Sequence, residues 1–447
     1  MAEYDVVIRS GTVVDGTGGP PRPVDVAISG ARIAEVGAVA GRGRREVDAD
    51  GLLVTPGFVD IHSHYDGQAT WDSRLLPSAW HGVTTVVMGN CGVGFAPVKP
   101  GDHDRLIELM EGVEDIPGAA LHEGLQWTWQ SFGEYLDALD SRPHDIDFAA
   151  QVPHGALRLH AMGDRGSDHT ARPSADEIAE MGRLAAEGVT AGGLGFTTSR
   201  TRNHRSSRGE YTPSLTAGRD ELVGIAAGLG RIGAGVLQVV SDFRDVDEEM
   251  GTLRAMAETS GRPLSISVAA GGSGSDNHRR VLAAIEAMND DGLEVRAQVA
   301  TRGIGVLLGL QASINPFSRC PSYKEVADLP LPERVVAMRE PGRRAAIVAE
   351  FADRPLRYGE AFTQLFALGD PPDYEPGPDA SVAAQAARQG RPAVELAYDL
   401  LLEDDGRALL YSPILNYPGG NLDEARNLLT HPFAVPGLGD GGAHVGT

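Results

Sequence analysis

A mixed α/β fold centred on a TIM-like (β/α)8 barrel is predicted by three features of the 447-residue chain. From Leu52 onward, short apolar runs alternate with stretches of helical periodicity, the rhythm of βαβ units on a parallel sheet. Eight such runs can be counted, at residues 54–62, 84–90, 148–154, 193–198, 235–241, 263–268, 294–300 and 435–440. The length exceeds that of one average domain and suits a barrel with additions, since barrels run from about 200 to over 400 residues.

The chain opens on a different pattern. Tyr4-Asp5-Val6-Val7-Ile8-Arg9 reads as a strand, and residues 10–16 as a turn and a second strand. Residues 24–28 and 32–36 alternate apolar and polar around the turn Ser29-Gly30-Ala31. A small β-sandwich-like domain over residues 1–53 is expected, marginal as an independent core and incomplete without a C-terminal partner segment. The barrel would then occupy residues 54–447, with helices over 175–187, 219–229 and 278–288. Between about 303 and 405 the rhythm breaks. Pro330, Pro332, Pro371, Pro372, Pro376 and Pro378 punctuate helical stretches there, as in an insertion before the last strand that could serve as a lid. A strand-like run at 408–414 would end it, and no internal repeat is evident.

Composition narrows the function classes. Hydrophobic residues make up 42% and charged residues 23%, ordinary values for a globular chain. A net charge of −23 would repel a phosphate backbone, so nucleic-acid binding is not expected. No run approaches the roughly 18 apolar residues of a membrane span. Met1-Ala2-Glu3-Tyr4-Asp5 lacks a basic and apolar leader, so a cytoplasmic location is expected. Cys91 and Cys320 are the only cysteines, too few for a disulfide framework.

Chemistry concentrates in a few segments. Gly57-Phe58-Val59-Asp60-Ile61-His62-Ser63-His64 leads an apolar run into two histidines at i and i+2. In extended chain both side chains face the same way. At the carboxyl end of a barrel strand that face looks into the site mouth, where two neutral imidazoles make a good pair of ligands for zinc or a similar divalent ion. Cys91 follows an apolar run in a flexible Asn90-Cys91-Gly92 turn, where a thiolate would hold zinc tightly; it also reads as a small buried residue. In Gly437-Leu438-Gly439-Asp440-Gly441-Gly442-Ala443-His444 an apolar approach ends in an aspartate among glycines. Asp440 suits a proton acceptor beside a metal, and equally an ordinary turn.

The Pro56-to-His64 segment resembles the first-strand signature of the amidohydrolase superfamily. His81-Gly82-Val83-Thr84-Thr85-Val86-Val87-Met88-Gly89-Asn90-Cys91-Gly92 resembles the second-strand motif of its N-acyl-D-amino-acid deacylase (D-aminoacylase) branch. The resemblance implies one or two divalent ions, zinc foremost, held by His62, His64, Cys91 and Asp440, with Asp440 also the general base. It implies deacylation of a small-molecule N-acyl-D-amino acid to a carboxylate and a free amino acid. Many barrel amidohydrolases bridge two metals with a carboxylated lysine, but Lys99 and Lys324, the only two lysines, fall on no candidate strand.

The chain also departs from the pattern. The family supplies a histidine from strand five and another from strand six, whereas residues 235–241 and 263–268 contain none. Gln238 stands about where the strand-five ligand belongs. His154, at the end of the third candidate strand, and His278 are the candidate substitutes, His278 reading more simply as a surface helix start. Arg158 accompanies His154 as in the family's third strand. Arg302 and Arg200, after the seventh and fourth candidate strands, could grip a substrate carboxylate through two hydrogen bonds or be solvated loop residues. Asp66 could orient a ligand histidine or cap a loop. Trp127 and Trp129 read as core or pocket lining. The family's chain continues past the catalytic aspartate, so this one is expected to lack the C-terminal part, which a partner or homo-oligomer would supply. Two alternatives stay open: a cyclic-amide hydrolase of the dihydroorotase or hydantoinase type, and a metal-poor, non-catalytic relative that binds or assembles.

Overall fold

The structure, a computed structural model, describes residues 2–271, 276–353 and 362–446. The chain divides into two compact units, Met1–Val59 with His81–Thr85, and Asp60–Trp80 with Val86–Thr447.

In the first unit a four-stranded sheet runs in the order Arg32–Gly37, Asp25–Ser29, Tyr4–Arg9, Gly43–Asp48. Its alternating residues bury Val7, Ala27 and Val39, with Tyr4 against them. The last strand is parallel to Tyr4–Arg9 and was not legible in the sequence. Its segment, Gly-Arg-Arg-Glu-Val-Asp, has one large apolar side chain and sits at the sheet edge, where the ladder and the Arg9–Glu46 ion pair at 2.7 Å hold it. A second small sheet joins Arg22–Pro23, Thr12–Val13 and Leu53–Val54. The single strand expected over 54–62 is therefore two: Leu53–Val54 in this small sheet, and Phe58–Asp60. Pro56 between them has no N–H to give a ladder.

The second unit is built on six parallel strands in the order Val152–Pro153, Gly195–Arg200, Val236–Ser241, Leu264–Ser267, Val295–Ala300, Ala434–Gly437. Their apolar residues form the core, with Leu237, Val239, Ile266, Ala297 and Val299 fully buried. Helices Ala175–Thr190, Arg219–Ile232, Val246–Ser260 and Asn277–Asp290 cross between the strands. The first opens on a capping box of Ser174 and Glu177. Neighbouring pairings continue beyond both edges. Gln151 N donates to Met88 O and Ser63 N to Val87 O; at the other side Asp440 N donates to His62 O, and Ser63 bridges Gly441 in parallel.

The third predicted strand divides into Asp147–Ala150 and Val152–Pro153, and His154 opens a helix, His154–Met162, rather than closing a strand. The interruption before the last strand is a layer of its own. Ile304–Gly309 and Phe366–Ala367 flank Leu409–Leu415 in an antiparallel sheet. Helices including Leu331–Arg339, Pro341–Phe351 and Ala393–Leu401 close a separate core around Phe317, Met338, Ile347, Tyr398 and Leu401. The strand-like run expected at 408–414 to end this layer is the strand Leu409–Leu415, which pairs with Ile304–Gly309. Residues 354–361 of the predicted insertion lie outside the described residues.

Candidate metal centre

His62 and His64 follow the strand Phe58–Asp60 beyond a bend at Ile61–His62, on either side of Ser63, which bridges Gly441. Backbone bonds pin both sides of the pair: His62 O accepts from Asp440 N at 3.0 Å, and His64 N donates to Gly441 O at 2.8 Å. Ser63 between them points away and donates its hydroxyl to Val87 O. The two rings therefore share one side, buried to 2% and 1% exposure.

Cys91 is brought up by a strained turn. It holds φ +55°, between Gly89 at +81° and Gly92 at +68°. A side chain at Gly89 would meet Gln151 O at 2.2 Å, so glycine is required there by both conformation and space. The Asn90 amide locks the turn by donating to Ser63 O and Val87 O. Asp440 also adopts a left-handed φ of +52°, a cost that an ordinary turn would have spared by using glycine.

These backbone devices converge four side chains. Cys91 Sγ lies 3.3 Å from His62 Nε2. Asp440 Oδ1 lies 3.6 Å from the Nε2 atoms of both His62 and His64. Donor atoms of His62, His64 and Cys91 all lie within 4.8 Å of one another. Donors about 2.0–2.3 Å from a tetrahedral zinc ion sit roughly 3.3–3.8 Å apart, so the contacts at 3.3 and 3.6 Å match such a cation. Its chemistry fits as well: two imidazoles, a sulfur and a carboxylate.

The electrostatics depend on that convergence. Burial lowers His64 to about 4, leaving it neutral at pH 7 as a ligand must be. Burial, and then the carboxylates of Glu114, Asp440 and Asp66, push the Cys91 thiol up, so a thiolate there needs a cation beside it. Desolvation alone would raise Asp440. The hydrogen bond from His64 and the nearby His62 and His444 overcome it and hold the carboxyl well below the usual range.

Outside this cluster, Gln298 orients His62. His62 Nδ1 lies 2.7 Å from Gln298 Oε1, which leaves Nε2 facing Cys91 and Asp440. Gln298 Oε1 also accepts from Ser267 Oγ, which accepts from Gln238 Nε2. Gln238 is thus three hydrogen bonds removed from His62, not a donor to the cluster. Replacing Gln298 with alanine should weaken metal affinity by about 10- to 100-fold without removing a ligand; zinc competition against a chelator measures it.

The structure corrects several other expectations. Both ring nitrogens of His154 are engaged, Nδ1 with Thr198 Oγ1 at 2.8 Å and Nε2 with Glu221 Oε1 at 3.0 Å, so it has none to give a metal. Arg158 is fully buried and pairs with the same carboxylate at 2.5 Å. Asp66 is buried and accepts from Gly89 N; burial raises it to about 7, and it supports the Cys91 turn rather than a histidine. Arg200 is clamped by Glu249 and cannot grip a substrate carboxylate. Arg302 is exposed and donates to Leu438 O at 3.4 Å. Trp129 is core, with Nε1 on Phe95 O, and Trp127 stacks on His103 at 4.0 Å. His278 is buried rather than superficial, bonded to Glu424 at 3.2 Å.

The His154 network sets an acid limit on stability. Burial lowers His154 below its ordinary 6.5. Burial raises Glu221, but the hydrogen bond from His154 and the Arg158 charge lower it below its ordinary 4.5 overall. For both groups the unfolded chain binds the proton first as pH falls, so stability drops below about 6.5 and again below about 4.5. Urea unfolding at pH 7.5, 5.5 and 4 should show both declines, and His154→Asn should flatten the upper one.

A cavity of about 340 Å³ opens on the cluster. Val240, Phe243, Val268, Ile304 and Leu415 form apolar wall, while Asn203, His204 and His278 contribute polar groups. Three groups of the site escaped sequence reading. His204 is half-buried and bonded to Ser199 Oγ; burial and the neighbouring His64, His444 and His62 push it to about 3. His444 N donates to Glu114 O, and its ring lies 3.9 Å from Glu114 Oε2. Glu114 ends the helix His103–Glu114, and burial holds its carboxyl well above the usual range. One signal for Glu114 was present: an acid at a helix C-terminus opposes the dipole, and such local conflicts collect at functional sites.

Residues 45–447 match the amidohydrolase family. The chain belongs to that family. It is 31% identical over 268 residues to the D-aminoacylase of Alcaligenes xylosoxydans xylosoxydans, covering 59% of this chain and 49% of that protein. It is 36% identical over 226 residues to the N-acyl-D-glutamate deacylase of the same organism, covering 50% of this chain and 41% of that protein. The chain thus spans less than half the length of these curated relatives in the matched regions. Among solved structures it is similar to the N-acyl-D-glutamate deacylase of Bordetella bronchiseptica, complexed with zinc and a phosphonate inhibitor that mimics the tetrahedral reaction intermediate. The TM-score is 0.60 at 24% identity, over 97% of this chain and 75% of that one, which shows a shared mixed α/β fold. Among the described residues, no helix is long and apolar enough to cross a membrane.

Proposed function

We propose that this chain carries the site of a metal-dependent amidohydrolase acting on linear amides, which converts an N-acyl-D-amino acid and water to a carboxylate and a free amino acid. The observation that carries the reading is the meeting of His62, His64 and Cys91 donors within 4.8 Å, with Asp440 Oδ1 at 3.6 Å from both imidazoles. The relatives' activities supply the substrate class. The eight strand segments, joined at their edges through Ser63, Val87, Asp440 and Gly441, support closure as a (β/α)8 barrel with this cluster at its open end.

His62, His64, Cys91 and Asp440 would hold zinc. A bound zinc ion supplies Lewis acidity, polarising the scissile carbonyl and bringing the pKa of water toward neutrality. The chain's own residues do the rest. Gln298 fixes the tautomer and direction of His62. Asp440 brings its carboxylate to the cavity beside both imidazoles, so it can take a proton from the attacking water and return it to the leaving amine. The apolar wall of Val240, Phe243 and Ile304 excludes bulk water and suits an acyl chain.

A screen of N-acetyl-D- and N-acetyl-L-amino acids with ninhydrin detection tests the reading on zinc-loaded protein. Free amine from the D-series alone is expected. Equal release from both series would defeat the D-specific assignment, and no release from either would defeat the deacylase assignment. The lack of histidine in residues 235–241 and 263–268, where the family pattern supplies one from each strand, favours the non-catalytic alternative, and zinc content separates the two readings. At least one equivalent per chain is expected.

A further inference from the structure

One buried carboxylate has no part in that chemistry. Glu114 is 2% exposed and lines the same cavity as the metal cluster. Its Oε2 lies 3.3 Å from His64 Nε2, and its Oε1 has no hydrogen-bond partner among the described residues. Only histidines, His64 and His444, lie within ion-pair distance of it there. A carboxylate in this setting is costly, since burial removes its water and no permanent cation replaces it. The negative end of its own helix adds to the cost. The backbone nonetheless holds it in place, with His444 N donating to Glu114 O at 2.5 Å.

A cation at the cluster resolves the conflict. The 3.3 Å separation from His64 Nε2 equals that between Cys91 Sγ and His62 Nε2, the spacing of two donors on one tetrahedral ion. The strands that could have supplied further donors do not. Val236–Ser241 presents Gln238 and Leu264–Ser267 presents Ser267, neutral groups tied to each other and, through Gln298, to His62.

We propose that Glu114 is itself a metal donor, supplying from the helix His103–Glu114 the anionic ligand that the strands Val236–Ser241 and Leu264–Ser267 lack. The proposal rests on the metal-dependent reading of the site. In it the ion is gripped from two directions, by His62, His64 and Cys91 on the strand side and by Glu114 on the helix side.

The test is zinc affinity, measured by chelator competition on the full chain for wild type, Glu114→Gln, Glu114→Asp and Cys91→Ala. Cobalt-substituted protein gives an independent visible spectrum of the ligand field. Glu114→Gln keeps shape and removes charge. It should weaken zinc binding by more than about 100-fold, beyond the loss typical of outer partners, and should shift the cobalt spectrum. Glu114→Asp should recover part of the affinity. The metal-free melting temperature of Glu114→Gln should equal or exceed that of the metal-free wild type, because a neutral amide replaces a carboxyl whose ionised form burial disfavours, which separates ligand loss from misfolding. Zinc binding lost in Cys91→Ala but kept within about 100-fold in Glu114→Gln, or an unchanged cobalt spectrum, would overturn the role of Glu114 and leave the metal centre standing. A wild type that binds no zinc would overturn both.

Discussion

Cys91→Ala is expected to lose its zinc and, with it, all measurable deacylation. The thiol is the one sulfur in the cluster, 3.3 Å from His62 Nε2 and buried, and alanine leaves no donor in its place. The backbone should tolerate the change. The turn is already held at φ +55° by Asn90 and by flanking glycines, and alanine fits the space the cysteine occupied. Metal analysis of the purified protein should therefore fall from at least one equivalent to near zero, while circular dichroism stays unchanged. A second readout does not depend on substrate. Zinc binds the folded form alone, so it should raise the wild-type melting temperature in proportion to the logarithm of its concentration and leave Cys91→Ala unmoved. Retention of stoichiometric zinc by the variant would remove Cys91 from the metal centre.

Asp440→Asn is expected to cut turnover by about 10²- to 10⁴-fold, the range for losing a positioned general base. The aspartate lies 3.6 Å from both imidazoles and tolerates a left-handed backbone, which asparagine also adopts readily. The substitution therefore removes the proton acceptor with little strain. The loss should fall mainly on kcat, because the apolar cavity wall of Val240, Phe243 and Ile304 is untouched. Zinc should still bind through His62, His64 and Cys91, at reduced affinity. An effect confined to KM would rule out proton transfer by Asp440.

The ease of reading differed by region, for physical reasons. Val236–Ser241, Leu264–Ser267 and Val295–Ala300 were found within a residue or two of their ends, because each sets buried apolar residues such as Leu237, Val239, Ile266 and Val299 between helical stretches. Gly43–Asp48 was invisible because an edge strand of alternating charge carries no such run. His62 and His64 were legible because an i, i+2 pair in extended chain shares a face whatever the rest of the molecule does. Cys91 and Asp440 were legible as motifs within a known family pattern, since one thiol and one carboxylate carry no local periodicity. His154 misled: the sequence placed it within the third strand, but the strand ends at Pro153, the helix His154–Met162 begins there, and Glu221, 67 positions away, takes its ring.

By itself the sequence determined an α/β chain of alternating strands and helices, a pair of histidines on one face, and a cysteine and an aspartate each set among glycines. Those are local properties, written in neighbouring residues through period, turn chemistry and backbone freedom. Only the tertiary structure decided that positions 62, 64, 91 and 440 meet, that Gln298 rather than Asp66 orients His62, and that Glu114 and His204 share the cavity. Each of those contacts joins residues tens to hundreds of positions apart, and such a distance closes only when the sheet and its helices pack.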